Sequence, residues 1–387
     1  MATLAALGAR HGHWLVVAAL GACAVATACS DGTEPGATSG AGGDGGASSS
    51  GATNTSSSGA SGGEEPDAGS SSGALTPDAG ASGIETEPNL RVAFIGDTAS
   101  GADFRAVLKL IRDEGAKLVL IQGDLTYSGE RPKDWFPVID NAINKATPGS
   151  TATVTIPYFV SQGNHDQFWD ETGPLLQKRL TEWQITPAHN DPPKRNYAIS
   201  YKGLEIVFVA EGETSNPTRA DYIKQRLEGD KHVWRICSWH KNMRSTNVAD
   251  KEDEMPWATY DTCRAFGAIV AQGHSHTYSR TKTMTAGKAL TVDANCKDPL
   301  SLCVGPGRHF IFDSSLGGRD TRDLDDTWKD APHFARTFTG AYGALFIDFN
   351  VDGDPKKARG YFKTVGGAVI DPTPGSGKTT FEITSAN

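Results

Sequence analysis

The run "LVLIQGDLTY", residues 118–127, decides how this chain is read. Four aliphatic residues lead into Gly-Asp, and an aromatic residue follows three positions later. A short apolar run that stops at a turn reads as a buried strand, and a side chain just past it is presented at the strand's carboxyl end. The same construction recurs in "LRVAFIGD" (90–97), "IPYFVSQGNHD" (156–166), "HVWRICSWH" (232–240) and "AIVAQGHSH" (268–276). Between the first runs, Phe104, Val107, Leu108 and Ile111 share one helical face, and so do Phe136, Ile139 and Ile143. Further apolar runs, "LEIVFVAEG", "RHFIFDSS", "GALFIDFNV" and "KARGYFKTV", continue the pattern to the C-terminal region. The class is α/β, with strands covered by helices on both faces or two sheets packed together.

Six side chains able to bind a metal sit just past these strand ends: Asp97, Asp124, Asn164, His240, His274 and His276. In open α/β sheets ligands bind outside the carboxyl ends of strands. Carboxylates, imidazoles, an amide carbonyl and the Tyr127 phenol together make a donor set for hard or borderline cations. Any one of these residues alone would read as a structural turn. Their joint recurrence reads as a metal site.

Taken in order, "GDTA", "GDLTY", "GNHD", "SWH" and "GHSH" resemble the calcineurin-like metallophosphoesterase superfamily, and "GDLTY" resembles its purple acid phosphatase branch. The resemblance implies a four-layer metallophosphoesterase sandwich, two mixed β-sheets flanked by helices. It also implies a first metal held by Asp97, bridging Asp124, Tyr127 and His276, and a second held by Asp124, Asn164, His240 and His274. Many members place a histidine two residues after the first aspartate, where this chain has Ala99. The purple branch lacks that histidine and uses the tyrosine instead. Two carboxylates and a phenolate suit Fe(III) in the first site, because a phenol with a free pKa of about 10 needs a strong Lewis acid to lose its proton. The more neutral second site suits a divalent Zn, Fe or Mn.

By the same resemblance the protein hydrolyses phosphate monoesters, a metal-bound hydroxide attacking phosphorus in line. His165 would bind the phosphoryl group and protonate the leaving oxygen, with Asp166 as its orienter. A phosphodiesterase with the same dinuclear site is the alternative enzyme, and a non-catalytic surface binding module the alternative of another class. Ala99 stands where purple phosphatases usually have glycine. In place of the N-terminal β-sandwich of the plant enzymes, a linker is expected.

Outside the motifs, composition divides the 387 residues. Residues 1–28 resemble a lipoprotein-type signal peptide, with Cys29 as the lipidated residue and Cys23 as the alternative. Residues 29–88 are Gly/Ser-rich with little to bury and are expected to be a disordered linker. Residues 89–387 then form the catalytic domain. The expected location is outside the cytoplasm, lipid-anchored in the cell envelope, or else secreted. There cysteines can pair, and Cys296 with Cys303, bracketing "KDPLSL", is the expected disulfide. A net charge of −9 argues against nucleic acid as a partner. The expected partner is a phosphorylated small-molecule substrate.

Four features read as bland. "DPTPGSGKTT" lacks the first glycine of a phosphate loop and is expected to be a flexible tail. The run Asp320, Asp323, Asp325, Asp326 is expected to be a solvated loop. His189 reads as a loop histidine, and Cys237, three residues before His240, should face away from the metal side.

Overall fold

The computed structural model describes residues 83–143, 155–212 and 218–387. The expected signal segment, Cys23, Cys29 and nearly all of the expected linker lie outside the described residues. The first part of the domain alternates strand and helix: β1 (Leu90–Ile95), α1 (Ala102–Asp113), β2 (Leu118–Ile121), α2 (Pro132–Ile143), β3 (Tyr158–Val160) and α3 (Trp169–Glu182). Phe104, Val107, Leu108 and Ile111 are all buried, so α1 forms where its apolar spacing has a sheet to cover. The middle part follows with β4 (Tyr197–Tyr201), β5 (Leu204–Phe208), α4 (Arg219–Leu227), β6 (Trp234–Ser238), α5 (Trp257–Ala265) and β7 (Ile269–Gln272). Thr218 starts α4 with a reciprocal cap to Asp221.

The remaining strands are β8 (Tyr278–Thr281), β9 (Met284–Ala286), β10 (Thr291–Val292), β11 (Ser301–Val304), β12 (Ile311–Ser314), β13 (Phe334–Phe338), β14 (Gly343–Phe349), β15 (Lys357–Thr364), β16 (Val369–Asp371) and β17 (Phe381–Ser385). One sheet has the order β11-β17-β15-β14-β1-β2-β3, with β16 beside β15. The other runs β13-β8-β12-β7-β6-β5-β4. Both mix parallel and antiparallel pairs.

The sheets face one another. Phe94 of β1 meets Phe312 of β12 edge-on at 5.0 Å, and the hydroxyls of Ser161 and Ser238 bond across the gap at 2.8 Å. Side-chain alternation identifies the layers: Leu204, Ile206 and Phe208 join the large central core, whereas Val207 and Val209 pack with Tyr222, Ile223 and Leu227 beneath α4. The expected sandwich of two mixed sheets flanked by helices is the observed one.

Two disulfides are present. Cys296 pairs with Cys303 as expected, and Cys237 pairs with Cys263, fastening β6 to α5 on the outer face. The second closes a separation of 26 residues. A loop of that size corresponds to about 3.5 kcal/mol of chain entropy. The C-terminal segment departs from expectation. Its Asp371 is buried and receives Arg280 Nε at 2.6 Å and Tyr278 Oη at 2.7 Å, and its far end leads into β17. A flexible tail is excluded because the sheet needs that strand: β17 pairs with both β15 and β11.

Candidate metal centre

Register brings the donors together. Ile95, Ile121 and Val160 are level across β1, β2 and β3, so Asp97, Asp124 and Asn164 emerge at one rim. Ser238 and Ala271 are level across β6 and β7, which delivers His240 and His274 to the same rim from the facing sheet. Each turn is tight. Asp97, Asp124, His274 and His276 all have left-handed backbones, with φ of 56°, 51°, 79° and 56°. Non-glycine residues rarely adopt this region, and such strain collects at functional sites. Ala99, in place of the family's glycine, also takes φ 52°. At Gly163 a Cβ would lie 2.2 Å from Asp124 Oδ1, so only glycine lets the "GNHD" turn approach this carboxylate.

The donors form two groups. In the first, Tyr127 Oη donates to Asp97 Oδ1 at 2.9 Å and lies 3.3 Å from His276 Nε2, which is 3.1 Å from the same carboxylate oxygen. In the second, His240 Nε2 lies 3.1 Å from Asp124 Oδ2 and 3.1 Å from His274 Nδ1. Asp124, His240 and His274 are all buried with donor atoms mutually within 4.8 Å. The groups are joined by the His274 amide, which donates to Asp97 Oδ2 at 2.8 Å.

Outer partners orient each ring. His276 Nδ1 donates to the Asp320 carbonyl at 2.8 Å and His240 Nδ1 to the Gln122 carbonyl at 2.7 Å, leaving both Nε2 lone pairs for the centre. His274 is turned the other way. Its Nε2 meets Glu254 at 2.7 Å, and Glu254 is itself paired with Lys241 at 2.6 Å, so Nδ1 faces the donors. Burial lowers His274 to about 4, more than Glu254 raises it, so the ring is neutral near pH 7.

The donor chemistry fits a cation pair. Asn164 Oδ1 is buried with no hydrogen-bond partner, the condition of a carbonyl oxygen meant for a metal. Burial, then Asp97 and Asp124, push the Tyr127 phenol far above its usual range, so it releases its proton only to a strong Lewis acid. Despite burial, Asp124 and Asp97 raise His240 to about 10, and, against its own burial, His240, His276 and His274 hold Asp97 well below the usual carboxylate range. The potential here is strongly negative.

His165 lies exposed at the rim, its ring 4.5 Å from that of Tyr127. Beside it is a cavity of about 230 Å³ lined by Tyr127, Glu130, His165, Gln167 and Phe168. Asp166 does not face the His165 ring. Its carboxylate accepts from the amides of Leu125, Thr126 and Gly163 at 2.9, 3.3 and 2.8 Å, so it pins the two metal-binding turns together. It is a brace for the backbone, since those three amides point inward at the turn where it is buried. His189 is bonded to Tyr222 at 3.1 Å, away from the donors.

Sequence reasoning missed Glu254, the Asp320 carbonyl and Arg319, whose guanidinium sits 4.7 Å over the Tyr127 ring. The acidic loop expected to be merely solvated therefore closes against the site through its main chain. No local pattern marks a backbone carbonyl or a lone loop glutamate as a histidine's partner.

Residues 90–278 match the family model described as calcineurin-like phosphoesterase. A comparison with curated proteins finds no match. Among solved structures, the fold is similar to purple acid phosphatase PPD1 from yellow lupin (Lupinus luteus) seeds, with TM-score 0.56 and 16% identity over 77% of this chain and 55% of that one. The chain thus spans about half the length of that protein. It is also similar to GAP50, the anchor in the inner membrane complex of Plasmodium, with TM-score 0.49 and 10% identity over 77% of this chain and 89% of that one. At 16% identity the likeness to the lupin protein concerns the fold.

Proposed function

We propose that this chain, whose residues 90–278 match the calcineurin-like phosphoesterase family model, is a purple-acid-phosphatase-like hydrolase of phosphate monoesters with a dinuclear metal centre. The observation that carries this reading is the Tyr127 phenol, held between Asp97 and His276. Asp97, Asp124, Tyr127 and His276 would hold Fe(III), and Asp124, Asn164, His240 and His274 a divalent Zn, Fe or Mn ion. When bound, such a pair supplies a water of lowered pKa and positive charge for the phosphoryl oxygens.

The chain's own residues do the rest. The outer partners of His240, His274 and His276 fix which nitrogen faces the centre, so little reorganisation remains at reaction. Asp166 holds the "GDLTY" and "GNHD" turns in register. His165, exposed beside the cavity, would hydrogen-bond the phosphoryl group and hand a proton to the leaving oxygen, and the cavity would receive the organic part of the ester. Two disulfides suit an oxidising compartment, in keeping with export and a lipid tether through Cys29.

A visible spectrum of the purified iron-loaded protein tests the metal assignment. A purple tyrosinate-to-iron(III) band is expected and should vanish in Tyr127→Phe; a colourless, active enzyme would overturn the Fe(III) assignment. Rates on an aryl monophosphate and a bis-aryl phosphate test the substrate. A strong preference for the diester would overturn the monoester reading.

A further inference from the structure

Glu211 lies just past β5, at the rim where the donors gather, and has no part in the reaction scheme. The chain there is fixed from both sides. The Val209 amide donates to the Ser238 carbonyl at 3.1 Å and the Ala210 amide to Asn196 Oδ1 at 2.8 Å, while Arg219 Nε donates to the Ala210 carbonyl at 2.7 Å. β5 therefore runs on beside the end of β6, and Glu211 arrives next to the segment that carries His240 and Lys241.

From Glu211 a line of contacts leads to a donor. Lys241 Nζ lies 2.7 Å from Glu211 Oε1 and 2.6 Å from Glu254 Oε1, and Glu254 Oε2 lies 2.7 Å from His274 Nε2. The Glu254 amide is tied to the Asn242 carbonyl at 2.9 Å, so the backbones at Lys241 and Glu254 stay together as well. The side chains of Glu211, Lys241 and Glu254 are only 20–24% exposed, and at that depth water competes weakly for their charges.

Lysine is a point charge on a flexible stem with rotatable donors. Held by Glu254 alone it would swing, and Glu254 with it. A second carboxylate fixes the ammonium between the two, and the fixed ammonium fixes the glutamate that meets His274. The Glu211 carboxylate is otherwise idle: its Oε2 is buried with no hydrogen-bond partner among the described residues. A buried carboxylate oxygen left unpaired costs stability, so its place calls for a reason other than packing. The first half of the centre rests elsewhere, His276 on the Asp320 carbonyl.

We propose that Glu211 is a positioning residue for the second ion, acting through Lys241 and Glu254 to hold the His274 ring with Nδ1 toward the donors. This rests on the dinuclear reading above.

Chelator competition on the metal-loaded protein, following each ion separately, tests it. Glu211→Ala should weaken the second ion by about tenfold, the lower end of what an outer partner costs, and leave the first unchanged. Glu211→Gln keeps an acceptor for the ammonium and should recover much of that loss. In a Lys241→Met background the line is already cut, so adding Glu211→Ala should have no further effect. Losses that add in the double variant, equal loss of both ions, no recovery in Glu211→Gln, or an unchanged second ion in Glu211→Ala would each overturn the inference. Wild-type protein that takes up a single ion would overturn the dinuclear reading and this inference with it, whereas two ions indifferent to Glu211 would overturn the inference alone.

Discussion

The two halves of the metal centre share a rim but are built differently. The first gathers Asp97, Tyr127 and His276 within 3.3 Å, rich in anionic oxygen, and its histidine leans on a main-chain carbonyl. The second relies on imidazoles and the Asn164 carbonyl, and its His274 leans on a side chain, Glu254, which needs Lys241 in turn. On the proposed assignment, charge would separate the ions that each half holds. Support separates their fragility, because a carbonyl survives any substitution that keeps the backbone, whereas a glutamate does not.

Asp124 is where the contrast should collapse. It faces His240 directly and accepts the His165 amide at 2.8 Å, so Asp124→Asn is expected to empty both halves. The activity loss should exceed the roughly 100-fold that removing an outer partner costs, and metal analysis should find neither ion. Retention of one full equivalent would show that the halves are independent.

Glu254 sharpens the contrast at smaller scale. Glu254→Ala should weaken the second ion alone by roughly 10–100-fold, whereas Glu254→Gln keeps an acceptor and should recover much of it. Competition with a chelator reads both losses, and equal loss of the two ions would contradict the separate supports. The wild-type brace should withstand moderate acid: burial opposes it, but His274 and Lys241 hold Glu254 down to about 2. Its contribution is complete above the usual glutamate value and fades only as pH falls toward 2.

A test away from the metal side concerns a histidine lacking any such partner. Neither ring nitrogen of buried His309 has a hydrogen bond, and burial, helped by Arg264, lowers it to about 3. The unfolded chain protonates near 6.5, so folded stability is intact above that value and should fall as pH drops from 6.5 toward 3, by up to about 1.4 kcal/mol per unit. Urea titrations across this window should show a shallower slope in His309→Leu. An unchanged slope would assign the acid sensitivity elsewhere.

The candidate donors were legible because most sit just past a strand whose apolar run announces it, and Cys296 with Cys303 was legible because the loop between them is short. Asp166 was misread because adjacency to His165 says nothing of direction: its carboxylate turns to amides about 40 residues away. "DPTPGSGKTT" looked like a tail because its composition resembles a linker, whereas its value to the fold is Asp371 and the strand that follows. Glu254 and Arg319 carry no local mark.

Sequence alone determined the α/β class and which side chains could bind metal, since strand, turn and donor lie within a few residues and obey local rules of burial and backbone shape. Tertiary structure decided how those donors group, which nitrogen each histidine presents and which cations look on. Those contacts join positions 149 and 177 residues apart, as between Tyr127 and His276 or Asp97 and His274. Strand register and loop path set such distances, and neither is written in any short stretch of the chain.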